Sequence, residues 1–120
     1  MAKTVLVVDD AAIIRQVCAI ALKREGYEIV EGENGKDALS KLDDKKIDLV
    51  ITDINMPEMD GIELIRQLRA RKEFKFVPIV VLSTVSQEHR VEEGKQAGAS
   101  GWILKPFDAN KLMHTVRKFI

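Results

Sequence analysis

Cysteine, proline and aromatic residues are all scarce in this 120-residue chain, which has one Cys, three Pro, one Trp, one Tyr and four Phe. A single cysteine, Cys18, excludes an internal disulfide and fits a reducing compartment. Cys18 lies within a helical pattern, where a small packed side chain is the ordinary role. Neither charge is in excess. Lys and Arg together number 19, as do Asp and Glu, so no global field draws the molecule to nucleic acid or an acidic membrane, and any partner is recognised locally. No apolar run approaches the roughly 20 residues that a membrane span needs. The opening Met1-Ala2-Lys3-Thr4 leads into Val5-Leu6-Val7-Val8, too short for the apolar region of a signal peptide and followed at once by two aspartates. These absences lead us to expect a soluble, cytoplasmic protein. A chain that is 46% hydrophobic and 32% charged buries one ordinary core and has no room for a second domain.

What is present is an alternation of short apolar runs with longer segments of helical period. Val5 to Val8, Leu49 to Ile51 and Ile79 to Leu82 read as strands buried on both faces of a parallel sheet. Tyr27 to Glu31 mixes charge into its run, as an edge strand does, and Gly101 to Leu104 is the fifth. The first helical segment runs from about Ala11 to Glu25, with Ile13, Val17, Ile20 and Ala21 on one stripe and Gly26 as its stop. The second runs from Gly35 to about Lys45 with Asn34 as cap and Asp37 in its first turn. Asn34-Gly35 would read as a hairpin turn before an alternating strand, but Ala38, Leu39 and Leu42 favour the helix. The third, Gly61 to about Ala70, buries Ile62, Ile65 and Leu68. The fifth, Ala109 to Phe119 with Asp108 as cap, buries Leu112, Val116 and Phe119. The fourth, Gln87 to Ala97 after a Ser86 cap, offers a core little beyond Val91 and Ala97, and Gly94 in its middle costs about 1 kcal/mol of helix propensity. It is expected to be the least firmly held. Five βα units of this length predict an α/β, doubly wound (βα)5 flavodoxin-like fold with a five-stranded parallel sheet of order 2-1-3-4-5. Such sheets bind ligands beyond the carboxyl ends of the strands where strand order reverses, which selects the residues after strands one, three and four.

The first strand delivers Asp9 and Asp10, and the third delivers Asp53. Alone, Asp9-Asp10 could be a helix cap with a neighbour that complements the helix dipole. Three converging carboxylates are another matter. At about 4 Å and an effective dielectric near 20, each like-charge contact costs on the order of 4 kcal/mol, so the cluster takes up protons or binds a cation. A hard divalent ion such as magnesium is the simpler answer, since it favours carboxylates, a carbonyl and waters and commonly reaches a phosphate oxygen as well. The fourth strand ends with Ser83, a hydroxyl able to bond a phosphoryl oxygen, and the fifth with Lys105, whose ammonium can reach an anion. Together these groups suit phosphoryl transfer to a carboxylate, with Asp53 as the central candidate nucleophile.

Val7-Val8-Asp9-Asp10, Asp53-Ile54-Asn55-Met56-Pro57 with Asp60-Gly61, Ser83, and Lys105-Pro106-Phe107 resemble, in this order and over the whole chain, the response regulator receiver domains, including chemotaxis regulators of the stand-alone, CheY-like type. The resemblance implies that Asp53 is phosphorylated by a partner histidine kinase in a two-component system. It implies that Asp10, Asp53 and the Asn55 backbone carbonyl bind Mg2+, for which Mn2+ can substitute, while Asp9 acts through water. Ser83 and Lys105 would hold the phosphoryl group, and Lys105-Pro106 would be a cis peptide, a state taken by only about 5–6% of unselected bonds before proline. Trp102 stands at the position of the aromatic switch residue, though it also reads as a large core residue of an edge strand. The output surface would be the fourth helix, fifth strand and fifth helix, with the flagellar motor switch as target and a phosphatase or a histidine phosphotransfer protein as further partners. The molecule would be a monomer and no enzyme beyond its own phosphorylation and dephosphorylation. Two positions depart from the best-known chemotaxis receivers. Thr84 is bulkier than the alanine or glycine often found there and narrows access to Asp53. Val85 replaces a polar side chain that orients the hydrolytic water or engages a phosphatase, which leaves Asn55 and partners to tune hydrolysis.

Other features have plainer readings. Arg66, Arg69, Arg71, Lys72 and Lys75 lack interleaved aromatics and read as a solvated helix end rather than a nucleic-acid patch. His89 and His114 sit on different helices without neighbouring ligands and read as surface residues. Met56 to Gly61 is a turn that shapes the site loop and caps the third helix. Completion of the last helix at Ile120 leads us to expect one receiver domain over residues 1–120 with no output domain. Three rival functions stay open: a phosphorelay shuttle handing the phosphoryl group to a histidine on another protein, an adaptor independent of phosphorylation, and a hydrolase of small phosphate esters. The last would need a substrate pocket and a general acid that the sequence does not supply.

Overall fold

Each apolar run becomes a strand, and each periodic segment a helix laid across it. The computed structural model describes residues 2–120, in the order β1 (Thr4–Val8), α1 (Ala12–Arg24), β2 (Glu28–Gly32), α2 (Gly35–Ser40), β3 (Leu49–Asp53), α3 (Gly61–Arg69), β4 (Ile79–Ser83), α4 (Val91–Ala97), β5 (Gly101–Leu104) and α5 (Ala109–Phe119). Short 3-10 helices, Lys72–Phe74 and Val85–Arg90, precede β4 and α4. The strands are all parallel in the order β2-β1-β3-β4-β5. That is the expected flavodoxin-like topology. Among the described residues no helix is long and apolar enough to cross a membrane.

Parallel strands sandwiched between helices need apolar side chains on both faces, which is why the central runs show no alternation. Leu6, Val8, Val50 and Val81 join Ala38, Ile62, Ile65 and Leu68 beneath α2 and α3. Val5, Val7, Leu49 and Ile51 point the other way, to Cys18, Leu22, Leu112 and Val116 of α1 and α5. Cys18 is packed as expected, and burial pushes its thiol pKa up to about 12.

Three helices depart from the sequence reading. In α1 most of the stripe expected to face the core lies outward: Ile13, Val17 and Ile20 are 69%, 38% and 53% exposed, and of that stripe only Ala21 is buried, beside Cys18 and Leu22. Apolar residues occupy two neighbouring stripes of this helix, and periodicity does not say which one meets the sheet. Arg15 settles the rotation, since its guanidinium donates to the Asp9 carbonyl at 2.6 Å and to Glu31 at 3.3 Å. α2 stops at Ser40 rather than near Lys45. Asp43 and Asp44 would oppose the negative end of a longer helix, and Asp44 instead takes a positive φ of 62°. The Asn34 cap is present, its side chain accepting from the Asp37 amide at 2.8 Å. α4 begins only at Val91, and Ser86 is not its cap. The Gln87 side chain turns back to accept from the Thr84 amide at 2.8 Å, and the Ser86 hydroxyl pairs with that of Thr84. These contacts tighten the preceding segment into the 3-10 form.

α4 buries only Gly94 completely, so the expectation of a lightly anchored helix holds. The glycine has a steric reason, because a Cβ there would stand 2.9 Å from ring atoms of Trp102. Met113 is buried in α5 beside Leu112 and Val116, while Phe119 is only half-buried.

Arg69 is the exception in the basic stretch expected to be solvated. Arg66, Lys72 and Lys75 are exposed, but the Arg69 guanidinium donates to the carbonyls of Phe74 (2.6 Å), Val77 (2.7 Å) and Gly98 (2.8 Å) and to the Ser100 hydroxyl (3.3 Å). Burial lowers its pKa. One side chain thus ties the end of α3 to the segments entering β4 and β5. Arg69→Ala leaves several acceptors unpaired and is expected to destabilise the fold by about 2–3 kcal/mol, with Arg69→Lys restoring a minor part. Urea unfolding measures this, and a loss below about 0.5 kcal/mol, the ordinary surface range, would contradict the assignment.

Candidate functional site

The parallel register brings the ends of β1, β3, β4 and β5 to one edge of the sheet. Beyond β1, the Asp9 amide donates to the Gly32 carbonyl at 3.1 Å, and its carboxylate is fully buried. Asp10, the next residue, is exposed. Asp53 closes β3 and is 7% exposed. Its carbonyl is so closely covered by Gly61 that no side chain fits at that position, which explains the glycine that follows Asp60. Asp9, Asp10 and Asp53 each offer a carboxylate oxygen, and these oxygens lie within 4.8 Å of one another.

Lys105 enters from the far side of the sheet. Its amide extends the β4–β5 ladder to the Ser83 carbonyl at 2.6 Å, and the Lys105-Pro106 peptide is cis, as the resemblance implied. The ammonium stands 3.0 Å from Asp9 Oδ2 and 3.2 Å from Asp53 Oδ1. Asp9 Oδ1 accepts from the Ala11 amide at 2.9 Å, so both oxygens of the buried aspartate are engaged.

Burial is the largest influence on Asp53 and raises its pKa. The Asp9 charge adds to the rise, and Lys105 opposes it. Burial works against the Lys105 ammonium too, but the bond to Asp9 and the charges of Asp53 and Asp9 outweigh it and raise its pKa. Three carboxylates against one ammonium leave an excess of negative charge at this cluster of oxygens. The donor set fits a hard divalent cation such as magnesium. Asp10 and Asp53 have the freer oxygens, whereas Asp9 is already committed to Lys105 and Ala11.

Ser83, the last residue of β4, is buried. Its hydroxyl accepts the indole N–H of Trp102. Trp102 is half-buried against the core and also borders an open groove of about 520 Å³ lined by Ser83, Glu88, Val91, Lys95 and Leu104. Its position agrees with the packing reading. Thr84 faces an apolar pocket with Ile14, Val17, Lys105, Pro106 and Phe107. Val85 is 61% exposed, and Asn55 is exposed on the loop after Asp53. His89 and His114 are both exposed, in keeping with their surface reading. Sequence reasoning missed Arg90, whose guanidinium reaches Asn55 and Asp60. No periodicity could connect residues so far apart in the chain.

Residues 5–117 match the family model of the response regulator receiver domain. The chain is 38% identical over 119 residues to the chemotaxis protein CheY of Bacillus subtilis, covering 98% of each chain. It is 39% identical over 111 residues to the phosphate regulon transcriptional regulatory protein PhoB of Pseudomonas aeruginosa, covering 92% of this chain and 48% of that one. The chain thus spans about half the length of PhoB, and likewise 47% of the transcriptional regulatory protein ResD of Bacillus subtilis. Among solved structures, the chemotaxis response regulator CheY4 of Vibrio cholerae superposes with a TM-score of 0.94 at 37% identity over the whole of both chains.

Because the Asp53 pKa is raised in the folded state, its contribution to stability is complete below the unfolded-state value near pH 4 and is lost as pH rises through the folded value. Relative to the native chain, Asp53→Asn should therefore gain in stability as pH rises from acid to neutral in metal-free buffer. Thermal unfolding from pH 3.5 to 7.5 tests the sign. A native chain that gains on the variant as pH rises would refute it.

Proposed function

This chain belongs to the response regulator receiver domain family, and from that premise we propose that Asp53 accepts a phosphoryl group from a histidine kinase and that the surface of α4, β5 and α5 carries the resulting signal to a target protein. At the level of the family it is a CheY-like receiver domain of a two-component response regulator, a signalling protein rather than a conventional enzyme. The observation that carries the proposal is the Lys105 ammonium held between the buried carboxylates of Asp9 and Asp53 at 3.0 and 3.2 Å, with Asp10 at the rim.

In the proposed transfer, an Asp53 carboxylate oxygen attacks the phosphorus of a phosphohistidine. The new P–O bond forms as the P–N bond breaks, and the imidazole nitrogen departs with the electron pair and takes up a proton. Lys105 balances charge on the phosphoryl oxygens, and the Ser83 hydroxyl turns its hydrogen toward one of them. Asp10, Asp53 and the Asn55 carbonyl would hold Mg2+, with Asp9 acting through water, and the ion would supply charge neutralisation that lowers the barrier. Positioning and electrostatics do most of the work in such a step. The outward stripe of Ile13, Val17 and Ile20 on α1 gives a protein donor an apolar surface beside the site.

For the output, Ser83 is bonded to Trp102, and Trp102 packs against the only fully buried residue of α4. A phosphoryl group that draws the Ser83 hydroxyl would shift the equilibrium of this pair and of the lightly held helix above it. Similarity to a chemotaxis protein along 98% of its length supports a chemotaxis output, with the flagellar motor switch as the target.

Intact mass measured soon after mixing with magnesium and a small acyl or amido phosphate donor tests the proposal. The native chain should gain one phosphoryl adduct that requires magnesium, and Asp53→Asn should gain none. A native chain that stays folded, binds magnesium and forms no adduct would overturn it.

A further inference from the structure

Arg90 ends the 3-10 helix that leads into α4, and its side chain points back over the loop that carries Asp53. Nη2 donates to Asp60 Oδ2 at 3.0 Å and Nη1 to Asn55 Oδ1 at 3.4 Å, while Nε faces Glu93 Oε2 at 3.4 Å. The Arg90 side chain is only 20% exposed and that of Asp60 35%, so this pair is shielded more than an ordinary surface pair. Asp60 has two duties: its other oxygen accepts from the Glu63 amide at 2.9 Å and caps α3. The backbone between is stiff as well, since the Gly61 amide donates to the Ile54 carbonyl at 2.7 Å. Arg90 therefore grips both ends of the loop from Asn55 to Asp60, and Glu93 holds the guanidinium from the α4 side.

Resting on the phosphoacceptor reading of Asp53, we infer that Arg90 is a positioning residue for loss of the phosphoryl group: it clamps the corner before α4 onto the site loop and restricts attack by water on the aspartyl phosphate. In that hydrolysis the water oxygen bonds to phosphorus, the bond from phosphorus to the Asp53 oxygen breaks, and the carboxylate departs with the electron pair as inorganic phosphate is released. Two features make the corner important. The Arg90 contact takes one of the two lone pairs of the Asn55 amide oxygen and fixes the direction of the amide, so the oxygen cannot turn freely to accept a hydrogen bond from an attacking water. Val85, on the same 3-10 helix, is apolar and 61% exposed, so it cannot orient water either. When the clamp opens, the Asn55 amide oxygen is released and the corner above Asp53 loosens.

The test uses the full chain, phosphorylated with a small amido phosphate and magnesium, then freed of donor, with loss of the adduct followed by intact mass. Arg90→Ala should shorten the phosphoryl half-life by about threefold to tenfold, and Arg90→Lys should recover part of it, because lysine keeps the charge but not the fork. Asp60→Asn keeps a good cap for α3 while removing the ion pair, so it should shorten the half-life as well. Combining it with Arg90→Ala should add nothing further, the behaviour of residues that act as one unit. The rate of phosphoryl gain should change by less than about twofold, a margin that additivity error alone can produce. An unchanged half-life in Arg90→Ala, effects that multiply in the double variant, or equal acceleration of gain and loss would each overturn the clamp. Should Arg90→Ala lose its helical circular dichroism, Asp60→Asn and Arg90→Lys decide the matter by the same criteria. Failure of the native chain to gain a phosphoryl group would instead bring down the phosphoacceptor reading, and the clamp with it.

Discussion

The arrangement turns on one ammonium group between two buried carboxylates. Asp9 is wholly buried and Asp53 nearly so, and two such anions side by side are unstable without a counter-charge. Lys105 supplies it from the end of β5, the strand farthest from β1 on that side of the sheet. The contact therefore exists only if β1, β3, β4 and β5 are all in register. Removing one partner of such a buried set exposes the others to the full cost of an uncompensated charge. The neutralisation is also incomplete, since Asp10 adds a third carboxylate. A site left with surplus negative charge and oxygen donors could hold a divalent cation.

Two separate links run from this site to α4. One is the Ser83 hydroxyl bonded to the Trp102 indole, with the ring packed where only glycine is tolerated at position 94. The other is the ionic contact of Arg90 with Asp60 and Asn55. The first joins the Ser83 hydroxyl to the middle of the helix, and the second joins the site loop to its start. α4 contributes little buried apolar surface of its own, so these contacts weigh heavily in where it rests.

The same physics explains which expectations failed. The α1 stripe was assigned to the wrong side because both of its stripes are apolar, and the choice between them was made by Arg15 bonding to Asp9 and Glu31. α2 was overextended because Leu42 keeps the helical spacing and is buried even though the chain has already turned. Arg69 looked like one cation among several and instead gathers carbonyls from the entries of two strands. The errors concern side-chain direction and helix ends rather than the order of the elements.

The sequence alone determined the five strands and the existence of their helices, because apolar run length and period report burial on two faces or on one, and the βα alternation pointed to the order of the sheet through the fold class. It also determined the positions of Asp9, Asp10, Asp53, Ser83 and Lys105, since strand ends follow from the runs and the sheet order brings those ends together. Only the tertiary structure decided how the side chains divide their bonds. It committed Asp9 to Lys105 and Ala11, Ser83 to Trp102, Arg69 to the strand entries and Arg90 to Asn55 and Asp60. Local pattern is set by burial, which every residue in a run experiences alike. A hydrogen bond between residues such as Asn55 and Arg90, 35 apart, depends on distances that exist only after the sheet has closed and the helices have packed.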